Sequence, residues 1–167
     1  VYEHCQLASF QSSTTAKISR EALSIQTKRM FPDAFQTAGL DGKGVRVAVF
    51  DAGFEGVDKQ GGIRHLVEGN QVVSTYDFVK KKEDVYDYDD HGTMVLSCIA
   101  GVKDSVRLGL APNAEFLLAR TERSRREPFS EEENWLAAAE WADRNGADII
   151  NSSLGYVHHR YFPEEMD

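Results

Sequence analysis

Residues 42–54 read GKGVRVAVFDAGF. Within them, Val45 to Phe50 is short, rich in β-branched residues and bounded by glycines, the pattern of a strand buried on both faces. It ends on Asp51-Ala52-Gly53. Upstream, Asp41 to Gly44 is a turn. Before it, Phe31-Pro32-Asp33 opens a short helix with Pro32 at the first helical position, and Gly39 is its stop. Downstream, Gln71 to Val79 reads as a second strand, and the charged run KKKEDVYDYDD (80–90) as a mostly solvated loop. His91-Gly92-Thr93 opens a helix that runs to Gly101, with Met94, Val95, Cys98 and Ile99 on one apolar face. Glu115 to Arg120 is a third strand. Ser130-Glu131-Glu132-Glu133 reads as a capping box for a helix whose apolar face is Trp135, Ala138, Ala139 and Ala142 and whose stop is Gly146. Ala147 to Asn151 is a fourth strand, followed by Ser152-Ser153-Leu154-Gly155. Strands alternating with helices give an α/β fold, a parallel β-sheet with helices on both faces.

The 167 residues fit one domain or part of a larger one. Lysine plus arginine number 19 and aspartate plus glutamate 27, a net charge of −8, which argues against nucleic acid or an anionic membrane as the main partner. With 41% hydrophobic and 10% aromatic residues the chain carries enough apolar surface for a packed core. No apolar run approaches the ~18 residues of a membrane span. The first residues, VYEHCQLASF, lack the basic-then-apolar pattern of a signal peptide. Residues 1–30 are polar and weakly patterned, most loop-like at QSSTTAK (11–17), and are expected to be an N-terminal arm or the remnant of a processed leader. Residues 31–167 are expected to be the N-terminal portion of the main domain. Cys5 and Cys98 make no CxxC pair; Cys98 reads as a small buried residue and no disulfide is expected.

Two residues stand out chemically. In parallel α/β sheets ligands bind beyond the carboxyl ends of the strands, where Asp51 stands. A turn cap onto Ala52-Gly53 is the plainer account of it. His91 begins a helix, whose dipole disfavours an imidazolium, and Gly92 beside it permits close approach. The plainer account is a histidine bonded to the acidic loop. Taken together, the two sit on one side of the sheet, where a carboxylate can accept the Nδ1 proton of an imidazole, fix its tautomer and stabilise its cation.

GKGVRVAVFDAGF (42–54), DDHGTMVLSCIAG (89–101), LGLAPNAEF (108–116) and ADIINSSLGY (147–156) resemble, in that order, four motifs of the subtilisin-like serine peptidases. The resemblance covers about residues 42–156. It implies that Asp51 is the aspartate and His91 the base of an Asp-His-Ser triad. It also implies that Ser153, Leu154 and Gly155 pair with an extended polypeptide substrate and form one wall of a specificity pocket. The chain departs from the family at Ala52, where threonine or serine is usual, and after Gly53, where FEGVDKQGG replaces an apolar turn. The loop VKDSVR (102–107) lacks the family's asparagine-rich calcium pattern. No metal or other cofactor is therefore predicted; calcium at Asp84, Asp87, Asp89 and Asp90 is possible in principle, but a solvated loop is the better reading.

No nucleophile block follows Gly155. Asn151 does not stand where the family's oxyanion asparagine does, and Ser105, Ser152 and Ser153 lack the nucleophile's context. The expected partner is therefore a downstream C-terminal chain of the same protein carrying the serine, which also covers the open edge at Ile149 and Ile150. The tail VHHRYFPEEMD (157–167) reads as an exposed loop, with His158 and His159 facing solvent. The resemblance implies a secreted or periplasmic enzyme. Two alternatives stay open: a non-catalytic peptide-binding module of the same fold, and an aspartate-centred phospho-acceptor or metal-dependent hydrolase using Asp51, Asp89 and Asp90.

Overall fold

A computed structural model describes residues 20–123 and 129–155. The loop-like stretch 11–17, Cys5 and the tail 157–167 lie outside the described residues. The elements run α1 (Arg20–Lys28), α2 (Pro32–Thr37), β1 (Arg46–Asp51), α3 (Arg64–Glu68), β2 (Val72–Asp77), α4 (His91–Ala100), β3 (Val102–Lys103), β4 (Val106–Arg107), β5 (Glu115–Arg120), α5 (Ser130–Arg144) and β6 (Ile149–Ser152).

β2, β5, β1 and β6 form a parallel sheet in that spatial order. Alternate side chains of the central strands go to opposite faces, as the pleat requires. Val47, Val49, Phe116 and Leu118 point to one face and pack with Phe54, Leu66, Leu96 and Ala100, so α3 and α4 cover that side. Ala48, Phe50, Leu117 and Ala119 point to the other and pack under Ala138 and Ala142 of α5. Each fully buried Phe or Leu in these layers removes apolar area worth about 1.5–3 kcal/mol from water. The chain thus has the α/β architecture expected, with helices on both faces. Residues Trp135, Ala138, Ala139 and Ala142 form the inner face of α5 as the sequence indicates.

Several boundaries differ. β6 begins at Ile149, not Ala147, because the Ala147 N–H bonds the Ala142 carbonyl and is spent closing α5. β2 is shorter than Gln71 to Val79. The Gln71 amide bonds the Pro112 and Ala114 carbonyls, and Asp77 stops the strand by accepting the N–H groups of Val79 and Lys80. On α4 the buried side is Gly92, Thr93, Leu96 and Ala100, with Val95 and Ile99 packed alongside. Met94 and Cys98 are only half-buried, so the expected face was about one position out, and Cys98 is no fully buried core residue. The segment 102–107 is not a plain loop but a hairpin. Asp104 and Ser105 take φ of 50° and 63°, the two left-handed positions of a tight two-residue turn. The charged run 80–90 is solvated for the most part, yet it drives Val85 fully into the core. In the expected N-terminal arm, residues 20–28 form α1, and the Thr27 hydroxyl bonds the Arg107 carbonyl of that hairpin at 3.3 Å.

The capping box at Ser130 does not form. Phe129 occupies the cap position with no side-chain hydrogen bond to the helix. Glu131 turns inward instead, is 1% exposed, and accepts the Arg123 N–H at 2.9 Å. At the sheet edge Ile149 and Ile150 are 52% and 41% exposed.

Candidate active site

β1 and α4 deliver the two candidate residues to one point. Asp51 is the last residue of β1 and is fully buried. His91 is the first residue of α4. The His91 Nδ1 lies 2.9 Å from Asp51 Oδ1 and 3.0 Å from Oδ2. The Ala52 N–H also donates to Oδ1, at 2.8 Å. His91 is held from behind as well, because its own N–H donates to the Asp89 carboxylate at 2.9 Å.

The glycines explain why the two elements approach so closely. A Cβ on Gly92 would sit 2.5 Å from the Gly53 carbonyl oxygen and 2.7 Å from the Phe54 ring, and the Gly92 N–H bonds that same carbonyl at 3.1 Å. A Cβ on Gly53 would meet the Asp87 carbonyl at 2.5 Å. Bare backbone on both sides is what lets the start of α4 lie against the end of β1. Thr93 adds a third tie, its hydroxyl donating to the Glu55 carbonyl at 2.8 Å.

Burial raises the Asp51 pKa above the ordinary carboxylate value, with the His91 hydrogen bond opposing it. Burial pulls the His91 pKa down, but the hydrogen bond and charge of Asp51, with Asp89 and Glu122 adding, more than offset it and the net shift is upward. Nδ1 thus faces the carboxylate, and the half-exposed ring leaves Nε2 without a hydrogen-bond partner among the described residues. That is the geometry of a base ready to accept a proton from a third group.

The third predicted element lies next to this pair. Ser152 of β6 registers with Phe50 of β1, one residue before Asp51. Ser153–Gly155 continues past the sheet. There the Ser153 hydroxyl accepts from the Asn151 amide at 3.1 Å, and the Ser152 hydroxyl accepts from the Trp135 indole at 3.0 Å. Among the described residues no backbone hydrogen bond engages Leu154 or Gly155.

The sequence model of the subtilase family matches residues 42–165. The chain belongs to the subtilase family. Over 125 residues it is 31% identical to subtilisin E of Bacillus subtilis (strain 168), an alignment covering 73% of this chain and 30% of that protein. It is 30% identical to an alkaline protease of Alkalihalobacillus alcalophilus, covering 76% of this chain and 30% of the other. Among solved structures, a cold-adapted subtilisin-like serine proteinase matches at 25% identity and a TM-score of 0.50, covering 67% of this chain and 36% of that one. MycP1 with its N-terminal propeptide removed shares the fold at a TM-score of 0.62 and 24% identity, covering 83% and 41%. The subtilase chain spans about 30% of the length of the curated relatives it matches.

The subtilase site contains one residue that sequence reading missed. Glu122 stands two positions past the end of β5, the neighbour of β1, where Arg120 registers with Asp51. Burial, then the charges of Asp51 and Glu131, push the Glu122 carboxyl up to about 7, with His91 opposing and Asp89 adding. The signal was present: it is an acid just beyond the carboxyl end of a buried strand, as Asp51 is an acid at the end of one. Because the Glu122 charge helps hold the His91 pKa up, Glu122→Gln will lower it. The His91 imidazole will then titrate at lower pH than in the unsubstituted protein. The same variant should flatten the stability profile. A carboxyl raised from 4.5 to about 7 favours the folded state at low pH and loses that contribution as pH rises through this window. NMR titration of the His91 imidazole and pH-dependent melting check both parts; an unmoved imidazole midpoint would show that Glu122 does not act on His91.

Asp84, Asp87, Asp89 and Asp90 do not converge on one point. Asp84 and Asp87 lie 3.1 and 3.7 Å from the Lys82 ammonium, and Asp89 is turned to the His91 N–H. Among the described residues no three His, Cys, Asp or Glu side chains gather as a metal-binding group. No helix among them is long and apolar enough to cross a membrane.

Proposed function

We propose that this chain supplies the aspartate and histidine of an Asp-His-Ser triad in a serine endopeptidase, together with a strand that binds the polypeptide substrate. The serine then lies on polypeptide C-terminal to the described residues. The observation that carries this reading is the 2.9 Å contact between His91 Nδ1 and the buried Asp51 carboxylate, with Nε2 left open. In the reaction the serine hydroxyl attacks the scissile carbonyl carbon while His91 Nε2 takes its proton. The imidazolium, stabilised by Asp51, returns that proton to the leaving amine as the C–N bond breaks, and water then releases the acyl group by the same route. Ser153–Gly155 supports the substrate role: an extended peptide laid along this backbone gains main-chain hydrogen bonds without requiring a particular sequence. The chemistry needs no resident metal, and none is proposed. The family resemblance favours a secreted or periplasmic site of action.

The test uses this chain assembled with its downstream polypeptide. A fluorophosphonate probe should label a serine of the downstream part, none of this chain's serines, and should do so far more slowly in His91→Ala. Peptide hydrolysis should follow the labelling. Labelling within residues 1–167 would overturn the placement of the nucleophile. Peptide binding with neither labelling nor hydrolysis would favour a non-catalytic binding module.

A further inference from the structure

Beside the proposed substrate strand is a groove of about 460 Å³ lined by Glu132, Trp135, Ser152, Leu154 and Gly155. Its volume falls in the range of sites that take a side chain or small ligand. Glu132 and Trp135 are three residues apart on α5 and so share a helix face. The indole is fixed: its N–H bonds the Ser152 hydroxyl at 3.0 Å, and its ring meets Phe50 edge-on at 5.8 Å between centroids. Gly155 faces open space on its side-chain side.

The groove therefore has a rigid aromatic wall, an aliphatic wall at Leu154 and one carboxylate. Some other acids of the fold have cationic partners, among them Glu115 with Arg46, Asp77 with Arg120 and Glu140 with Arg144. Glu132 is half-buried and has no ion pair among the described residues. Its neighbours in the first turn differ: Glu131 is buried and bonded to the Arg123 N–H, and Glu133 is exposed. The helix dipole favours acids at all three positions, but it does not account for one of them lining a groove with a tryptophan.

We propose that this groove selects substrates by binding an arginine side chain of the peptide laid along Ser153–Gly155. This deepens the peptidase reading and rests on that segment being the substrate strand. A guanidinium is planar and weakly hydrated, so it stacks on an indole face and forks onto a carboxylate at the same time. The methylene stem of the arginine covers Leu154. A lysine ammonium reaches the carboxylate but stacks less well. A leucine or phenylalanine fills the space and takes water from Glu132 without replacing it. Asp89, whose carboxylate holds the His91 N–H, adds negative charge on the histidine side that favours capture of basic peptides.

The test measures binding, so that it does not depend on turnover. In the assembled protein carrying His91→Ala, Kd is measured for acetylated octapeptide amides of alanine, glycine and serine. One arginine, norleucine or glutamine is moved through each position. Arginine at a single position should bind about tenfold tighter than norleucine there, Glu132→Gln should remove most of that preference, and salt should weaken it. Norleucine binding as well as arginine at every position overturns the proposal, as does an arginine preference that survives Glu132→Gln. Hydrolysis by the unmodified assembly is scored separately. Cleavage with no arginine preference removes the groove and keeps the peptidase. Arginine-dependent binding without cleavage keeps the groove and removes the peptidase.

Discussion

Asp51→Asn is expected to lower kcat of the assembled peptidase by about 10⁴-fold, with KM and the fold little changed. The geometry says why. Oδ1 accepts the Ala52 N–H at 2.8 Å, so that position must remain an oxygen. In the asparagine variant the amide NH₂ then takes the place of Oδ2, 3.0 Å from His91 Nδ1. It donates where the carboxylate accepts, and Nδ1 must become the acceptor. The proton moves to Nε2, which can no longer take one from a serine. The fold should not suffer, because burial already disfavours the Asp51 charge and the amide has none to desolvate. Steady-state kinetics and thermal unfolding of the variant check the two halves. A fall of less than about tenfold would mean that His91 is not oriented by Asp51.

The parts legible in the sequence were those set by local pattern. Val45 to Phe50 and Glu115 to Arg120 are short runs between turn signals, and both became central strands. Asp51 and His91 stood out in the sequence because each sits at the end of an element with a glycine within two residues of it. The glycines now have a physical reason: a Cβ at Gly53 or Gly92 collides with backbone of the other segment. The errors came where distant contacts outweighed local signals. Ser130 followed by Glu133 has the letters of a capping box, but the buried Glu131 finds a backbone donor at Arg123 and the helix starts around that bond. Ala147 looks like strand, but its N–H is taken by α5. Glu122 was missed because its neighbours, Asp51, Asp89 with His91, and Glu131, come from three separate places in the chain. Only the sheet order β2-β5-β1-β6 puts β5 beside β1.

That same adjacency sets the largest expected effect on stability. Arg120 is 5% exposed at its side chain and ties three segments together. Its Nε donates to the Ala52 carbonyl at 2.7 Å, its Nη1 to Asp77 Oδ2 at 3.0 Å, and its guanidinium lies 3.8 Å over the Tyr88 ring. Asp77 is itself fully buried at the end of β2, and its other oxygen holds the turn through Val79 and Lys80. Arg120→Met keeps the volume but strands the Asp77 carboxylate in the interior, which costs about 3–5 kcal/mol. That is a large share of the ~5–15 kcal/mol that holds a typical domain folded. It also frees the Ala52 carbonyl immediately after Asp51, so the residual folded enzyme should lose activity too. Asp77→Asn keeps the turn oxygen and removes the charge. In the double variant the stranded carboxylate is gone, and the loss should be clearly smaller than the sum of the two single losses. Arg120→Lys should rescue little, since one ammonium cannot reach Ala52 and Asp77 and cover Tyr88 together. Denaturant unfolding of the four proteins measures the cycle. Additive losses, or an Arg120→Met cost under about 1 kcal/mol, would show that Asp77 does not depend on Arg120 and that the carboxyl ends of β1, β2 and β5 are held by packing alone.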